Sequence, residues 1–162
     1  MTKEDFYNMV VEAYRPAKSL IGMVPEDRLG WAPGARFMTL GQLICHLSLG
    51  LGDGIRTLHT GQWPTGEEML TGMKQENLPS CDVAEALKKL EADKSALREA
   101  LDALSERDFA EKVVSVPWGM NGKFEILALS FLEHFTNHKM QLFTYLKLLD
   151  LPVDTQTLYF GS

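Results

Sequence analysis

Apolar residues recur along this chain at helical spacing in four separate stretches. The first stretch runs from about Thr2 to Met23, with Phe6, Met9, Val10, Ala13, Tyr14 and Leu20 on one side and Thr2 and Asp5 in capping-box spacing. Pro16 falls inside it and predicts a kink, because proline removes a hydrogen bond and clashes with the preceding turn. The second starts at Thr39, which forms a capping box with Gln42, and carries Leu40, Leu43, Ile44, Leu47, Leu51, Ile55 and Leu58 as one continuous helix. Gly50, Gly52 and Gly54 weaken it by about 1 kcal/mol each relative to alanine. The third is the clearest, with Asp82 and Glu85 at its start and a stripe of Val83, Ala86, Leu87, Leu90, Leu97, Leu101 and Leu104. The fourth extends from about Lys123 to Leu149 and stops before Pro152.

Between these stretches the pattern is lost. The segment from Pro25 to Phe37 reads as a loop, and Gly61 to Ser80 reads as a long connection. Val113, Val114 and Val116 favour extended backbone, followed by turn residues Pro117, Gly119, Asn121 and Gly122. A short extended excursion is expected there rather than a sheet. Four long helices with long crossover connections predict an all-α four-helix bundle, and the absence of repeats or low-complexity stretches predicts a single domain over 1–162.

Composition adds mainly exclusions. No apolar run is long enough for a membrane span. A net charge of −6 argues against a nucleic-acid partner and against a basic helix lying on a membrane. Lys3, Glu4, Asp5 and Glu12 interrupt any apolar leader, and the two cysteines, Cys45 and Cys81, lack a CxxC spacing. The expectation is a cytoplasmic protein with reduced thiols.

Chemistry enters with the histidines. His134 and His138 stand at i and i+4 in the fourth helix, on one face with Leu127, Phe131, Gln141 and Tyr145. Two imidazoles so spaced can chelate one divalent metal, and they equally suit a partly buried pair satisfied by neighbours. His46 lies in the apolar run Leu43-Ile44-Cys45-His46-Leu47, where an unpaired ring costs about 1–3 kcal/mol to bury. A core histidine able to face the HxxxH pair is the natural third ligand, since bundles build metal sites from inward-pointing side chains on facing helices. His59, near a helix end, reads as a surface residue.

The run Glu133-His134-Phe135-Thr136-Asn137-His138-Lys139-Met140-Gln141-Leu142, then Tyr145-Leu146 and Leu151-Pro152, together with Met38-Thr39-Leu40-Gly41-Gln42-Leu43 ahead of His46, resembles the DinB-like (damage-inducible-B-like) superfamily of small metal-binding four-helix bundles. That family's late signature is His-x-x-x-His-Arg-Gly-Gln. Here Lys139 stands for the arginine and Met140 for the glycine, while Gln141 matches. The tail Leu158-Tyr159-Phe160-Gly161-Ser162 is similar to a Tyr-Gly ending seen in relatives.

The resemblance implies a metal triad of His46, His134 and His138. Three neutral imidazoles leave an open position, as catalytic sites do, and accept zinc or nickel first, with manganese, iron or cobalt also accommodated. Gly50 would leave room beside the metal or serve plain helix packing, Asp53 would orient a ligand or act as a base if it is not simply a solvated helix-end carboxylate, and Gln141 would hold a ligand histidine or a metal-bound water or play a plain structural role. Trp31, Trp63 and Trp118 lie in connections, where they suit either an apolar entrance over the metal or plain loop packing. Family branches include bacillithiol-dependent transferases, mycothiol-dependent isomerases and metal-dependent hydrolases. The resemblance therefore implies a thiol-dependent transferase or a hydrolase acting on a small molecule, in a homodimer. No cluster of Arg or Lys marks a site for an anionic low-molecular-weight thiol. The alternative is a non-catalytic metal- or ligand-binding bundle with a stress-response or dimerisation role.

Overall fold

The computed structural model describes residues 1–162. Its elements in chain order are α1 (Lys3–Gly22), α2 (Leu40–Leu47), α3 (Leu51–Thr60), α4 (Gly66–Gly72), α5 (Val83–Asp102), α6 (Glu106–Glu111), β1 (Val113–Ser115), β2 (Asn121–Lys123), α7 (Phe124–Leu148) and α8 (Thr155–Phe160). Short 3-10 turns occur at Glu26–Arg28 and Gln75–Asn77. The bundle is all-α in its architecture: α1, the α2–α3 pair, α5 and α7 enclose one core. No helix is long and apolar enough to cross a membrane.

The helix starts follow the capping chemistry. Thr2 and Asp5 exchange backbone-to-side-chain hydrogen bonds of 3.0 Å each at the head of α1. Thr39 and Gln42 do the same at α2. The Gln42 amide also donates to the carbonyls of Gln75 and Leu78, fastening the long connection against α2. α1 continues through Pro16, which is buried. Phe6, Val10, Leu20, Leu43, Ile44, Ile55, Leu90, Leu97 and Leu142 form the centre of the core, each shielded almost entirely from water. Cys45 and Cys81 are buried free thiols, and burial, with a hydrogen bond donated to Cys45, pushes the Cys81 thiol up to about 12.

Three expectations need correction, and one element was not foreseen. The second helix is not continuous: it breaks at Ser48–Gly50 into α2 and α3, because Gly50 takes a φ of 110°, a left-handed conformation that interrupts the helical path between them. The connection from Gly61 to Ser80 contains α4, started by a Thr65–Glu68 capping box. The valine-rich excursion closes into a two-stranded antiparallel hairpin, with Val113 opposite Lys123 and Gly119 in the turn at φ 91°. The chain after Pro152 folds into α8, capped by Asp154 and fastened by Lys139, whose ammonium donates to the Leu158 carbonyl at 3.1 Å.

α3 lies close against α5 at Gly52. A Cβ there would land on the Asp93 carbonyl oxygen and within 2.7 Å of the Leu97 backbone nitrogen, both on a rigid helix. Gly52→Ala is expected to destabilise the protein by about 1–3 kcal/mol through this overpacking, read as a lower urea midpoint at unchanged slope.

Candidate metal centre

His46 sits in the last turn of α2, and His134 and His138 lie one turn apart on α7. The Nε2 atoms of His46 and His134 are 3.0 Å apart, and one ligand nitrogen from each of the three rings falls within 4.8 Å of the others. Two nitrogens bound to one ion at about 2.1 Å stand roughly 3 Å apart, so the spacing suits a shared divalent ion. His138 supplies the chemical test of fit. Its Nδ1 lies 2.9 Å from the Gln141 carbonyl oxygen, which can only accept, so Nδ1 carries the proton and Nε2 keeps a free lone pair. The Gln141 amide nitrogen donates in turn to the Tyr145 hydroxyl at 3.0 Å. Tyr145 is buried and held edge-on by Trp31 at 5.6 Å between ring centroids. This chain of contacts fixes both the tautomer and the angle of the His138 ring, the usual task of groups behind a metal ligand.

Electrostatics also favour ligation. Burial, reinforced by the neighbouring His138 and His134, holds His46 below its ordinary value of 6.5, at about 4. Burial and His138 likewise lower His134. His46 therefore stays neutral, as a ligand must be, well below neutral pH, and the shift of His134 runs in the same direction. In the metal-free protein the same depression costs stability in acid. The unfolded chain takes up the His46 proton near 6.5 and the folded one only near 4, so stability is undiminished above that window and falls as the pH drops through it. Urea midpoints of metal-free protein should fall between pH 7 and pH 4.5, and His46→Gln should flatten the decline. A midpoint that stays level would contradict a buried neutral His46.

A cavity of about 120 Å³ adjoins the triad, lined by the three histidines with Leu47, Leu49, Gly50, Leu51, Phe131 and Phe135. Its shape depends on the break between α2 and α3. Gly50 cannot cap α3 with a side chain, and Asp93 of α5 does so from across the interface. The Asp93 carboxylate accepts from the backbone N–H groups of Gly52 at 2.9 Å and of Gly50 and Asp53 at 3.3 Å, and from the Tyr14 hydroxyl at 2.5 Å. An anionic side chain at a helix N-terminus satisfies donors that would otherwise be stranded.

Comparison with known proteins places this architecture. The DinB superfamily matches residues 10–141. The chain belongs to the DinB superfamily. A search of curated proteins finds no match. Among solved structures, this DinB chain is similar to a DinB-like protein from Bacillus cereus ATCC 10987, with a TM-score of 0.72 at 17% identity, covering 94% of this chain and 96% of that one. It is also similar to a protein assigned to the DinB family from Exiguobacterium sibiricum 255-15, with a TM-score of 0.70 at 16% identity and 96% of both chains covered. At these identities the likeness is one of fold.

In this DinB superfamily member the structure brings His46, His134 and His138 together and sets Gln141 behind His138. Gly50 borders the cavity and also supplies the positive φ of the helix break. Asp53 is not brought to the cavity. The break at Gly50 ends the continuous helix that would have related Asp53 to His46, and the exposed Asp53 carboxylate pairs with Arg56. His59 is half-buried rather than exposed, its Nδ1 shielded from water without a hydrogen-bond partner, as is the Trp63 indole nitrogen. Trp63 and Trp118 pack on Phe131, and Trp31 on Tyr145. Sequence reasoning missed Asp93, although a signal existed: it stands between Leu90 and Leu97 in the apolar stripe of α5, a place for a buried side chain.

Proposed function

We propose that this protein is a metal-dependent enzyme acting on a small molecule, with a divalent ion, zinc or nickel first, held by His46, His134 and His138. The observation that carries this reading is the convergence of three imidazoles at the edge of an apolar cavity. When bound, the ion supplies Lewis acidity that makes a water or a thiol nucleophilic near neutral pH. His46 and His134 present their Nε2 atoms from facing helices. His138 donates its Nδ1 proton to Gln141 and so presents Nε2 as well. Gln141 is a positioning residue that acts through His138, and Tyr145 positions Gln141. The leucine and phenylalanine side chains of the cavity limit water around the reacting group. Asp53 takes no part, being paired with Arg56 away from the cavity.

Elemental analysis of protein purified without a histidine tag should find a divalent metal, and loading should raise the melting temperature by mass action. A metal-free preparation that ignores added zinc, nickel and manganese would sink the enzyme reading and leave a non-catalytic bundle. Turnover of the loaded protein with a panel of electrophiles, in the presence and absence of low-molecular-weight thiols, separates transfer from hydrolysis. Gln141→Leu should weaken metal binding about 10–100-fold in a chelator competition, with little change in fold stability. Unchanged affinity would remove Gln141 from its positioning role.

A further inference from the structure

Beside its histidines the cavity is lined by leucine and phenylalanine, with no charged side chain among the lining residues. Its volume of about 120 Å³ approaches that of a dry engineered cavity of roughly 150 Å³ that admits benzene. One aromatic ring is therefore the scale of group it accommodates. The wall formed by Phe131 is held from behind. Trp63 stacks on Phe131 with 6.5 Å between centroids and 15° between planes, Trp118 meets it at 6.4 Å and 64°, and the two tryptophans pack edge to face at 5.2 Å. Leu49, at the rim of the cavity, is 44% exposed, and Trp118, in the hairpin turn, is 48% exposed, so apolar surface remains open to solvent on this side.

We infer that this cavity binds an uncharged, planar apolar group of the substrate, the size of one aromatic ring, with the polar end of the substrate at the three histidines. The inference rests on the metal-dependent reading above and adds the class of molecule. Flat apolar groups gain offset or edge-on contact with phenylalanine faces beyond their area burial. A charged group would leave water with no partner among the leucines and phenylalanines. The carboxylates of an anionic substrate would therefore have to stay outside. The rigid backing by Trp63 and Trp118 keeps Phe131 in place, so that little side-chain freedom is lost when the ring arrives.

The test uses the zinc-loaded protein and two chelating probes, acetohydroxamate and benzohydroxamate, which share a metal-binding head and differ in the ring. Calorimetric affinities are expressed relative to each probe's affinity for zinc in solution. Benzohydroxamate is expected to bind about tenfold tighter or better. Phe131→Leu and, separately, the rim substitution Leu49→Asn should each reduce that preference, read as the ratio of the two affinities within the same variant, to within about threefold. Leu49 is exposed enough that its variant should fold whatever Phe131→Leu does. Equal binding of the two probes by the unmodified protein, or a preference that survives both substitutions, overturns the inference. Failure of acetohydroxamate itself to bind the zinc-loaded protein overturns the open-metal reading beneath it instead.

Discussion

Alanine at His138 is expected to strip the protein of its metal, with the ion content after dialysis falling to background. The loss should exceed the roughly 10–100-fold that a supporting hydrogen bond contributes to metal affinity, because a ligand itself is removed. His138 is also the best oriented of the three rings, through Gln141 and Tyr145, so its loss leaves two imidazoles on separate helices with nothing behind them to set their angle. His59→Ala is the matched control. It removes an imidazole from the last turn of α3, outside the convergent group, and should leave metal content untouched. Elemental analysis of both variants, purified without a tag, decides the matter. Equal loss in the two would mean that the triad does not hold the ion.

The second large effect is expected at Asp93. Its carboxylate is 6% exposed and accepts from three backbone N–H groups at the start of α3 and from Tyr14. Burial and the adjacent carboxylate push the Tyr14 phenol far above its ordinary range, so it remains a donor at any working pH. Asp93→Ala strands the phenol and the helix-terminal donors together, and should cost about 3 kcal/mol or more of folding stability in urea titrations. Asp93→Asn should lie between, since its amide nitrogen cannot accept. Tyr14→Phe should cost only about 1 kcal/mol, because it removes a single donor and leaves the carboxylate its backbone partners. A loss below about 1 kcal/mol in Asp93→Ala would show that water replaces the carboxylate at the helix start.

Much of this architecture was legible because its signals are local. α1, α5 and α7 carry apolar residues at helical spacing, α1 and α5 with matching caps, and their observed bounds lie within a few residues of the expected ones. The convergence of His46 with His134 and His138 was legible too, since it needed only two faces of two facing helices. The break at Gly50 was hidden, because three glycines in a helical stretch weaken a helix without saying which one will leave it. What selects Gly50 is the Asp93 carboxylate, forty-three positions away on α5, which is ready to receive the free N–H groups. The expected role of Asp53 depended on a continuous helix. The short helices α4 and α8 had visible capping pairs in Thr65–Glu68 and Asp154–Thr157, but too few residues to show periodicity. The hairpin needed the two sides of the Gly119 turn to find each other, which a run of valines on one side does not announce.

The three imidazoles are unequally distributed along the chain, and this bears on how a metal would act during folding. His134 and His138 are neighbours on a single turn of helix, whereas His46 precedes His134 by 88 residues. An unfolded chain can already offer the local pair, at little cost in chain entropy, while recruiting His46 requires closing a long loop. The ion would therefore bind the unfolded ensemble weakly through α7 alone, and only the increment from His46 would count toward the stability of the native state. Metal added during refolding would mark the moment at which α2 reaches α7, making the ion a reporter of late assembly rather than a seed for it.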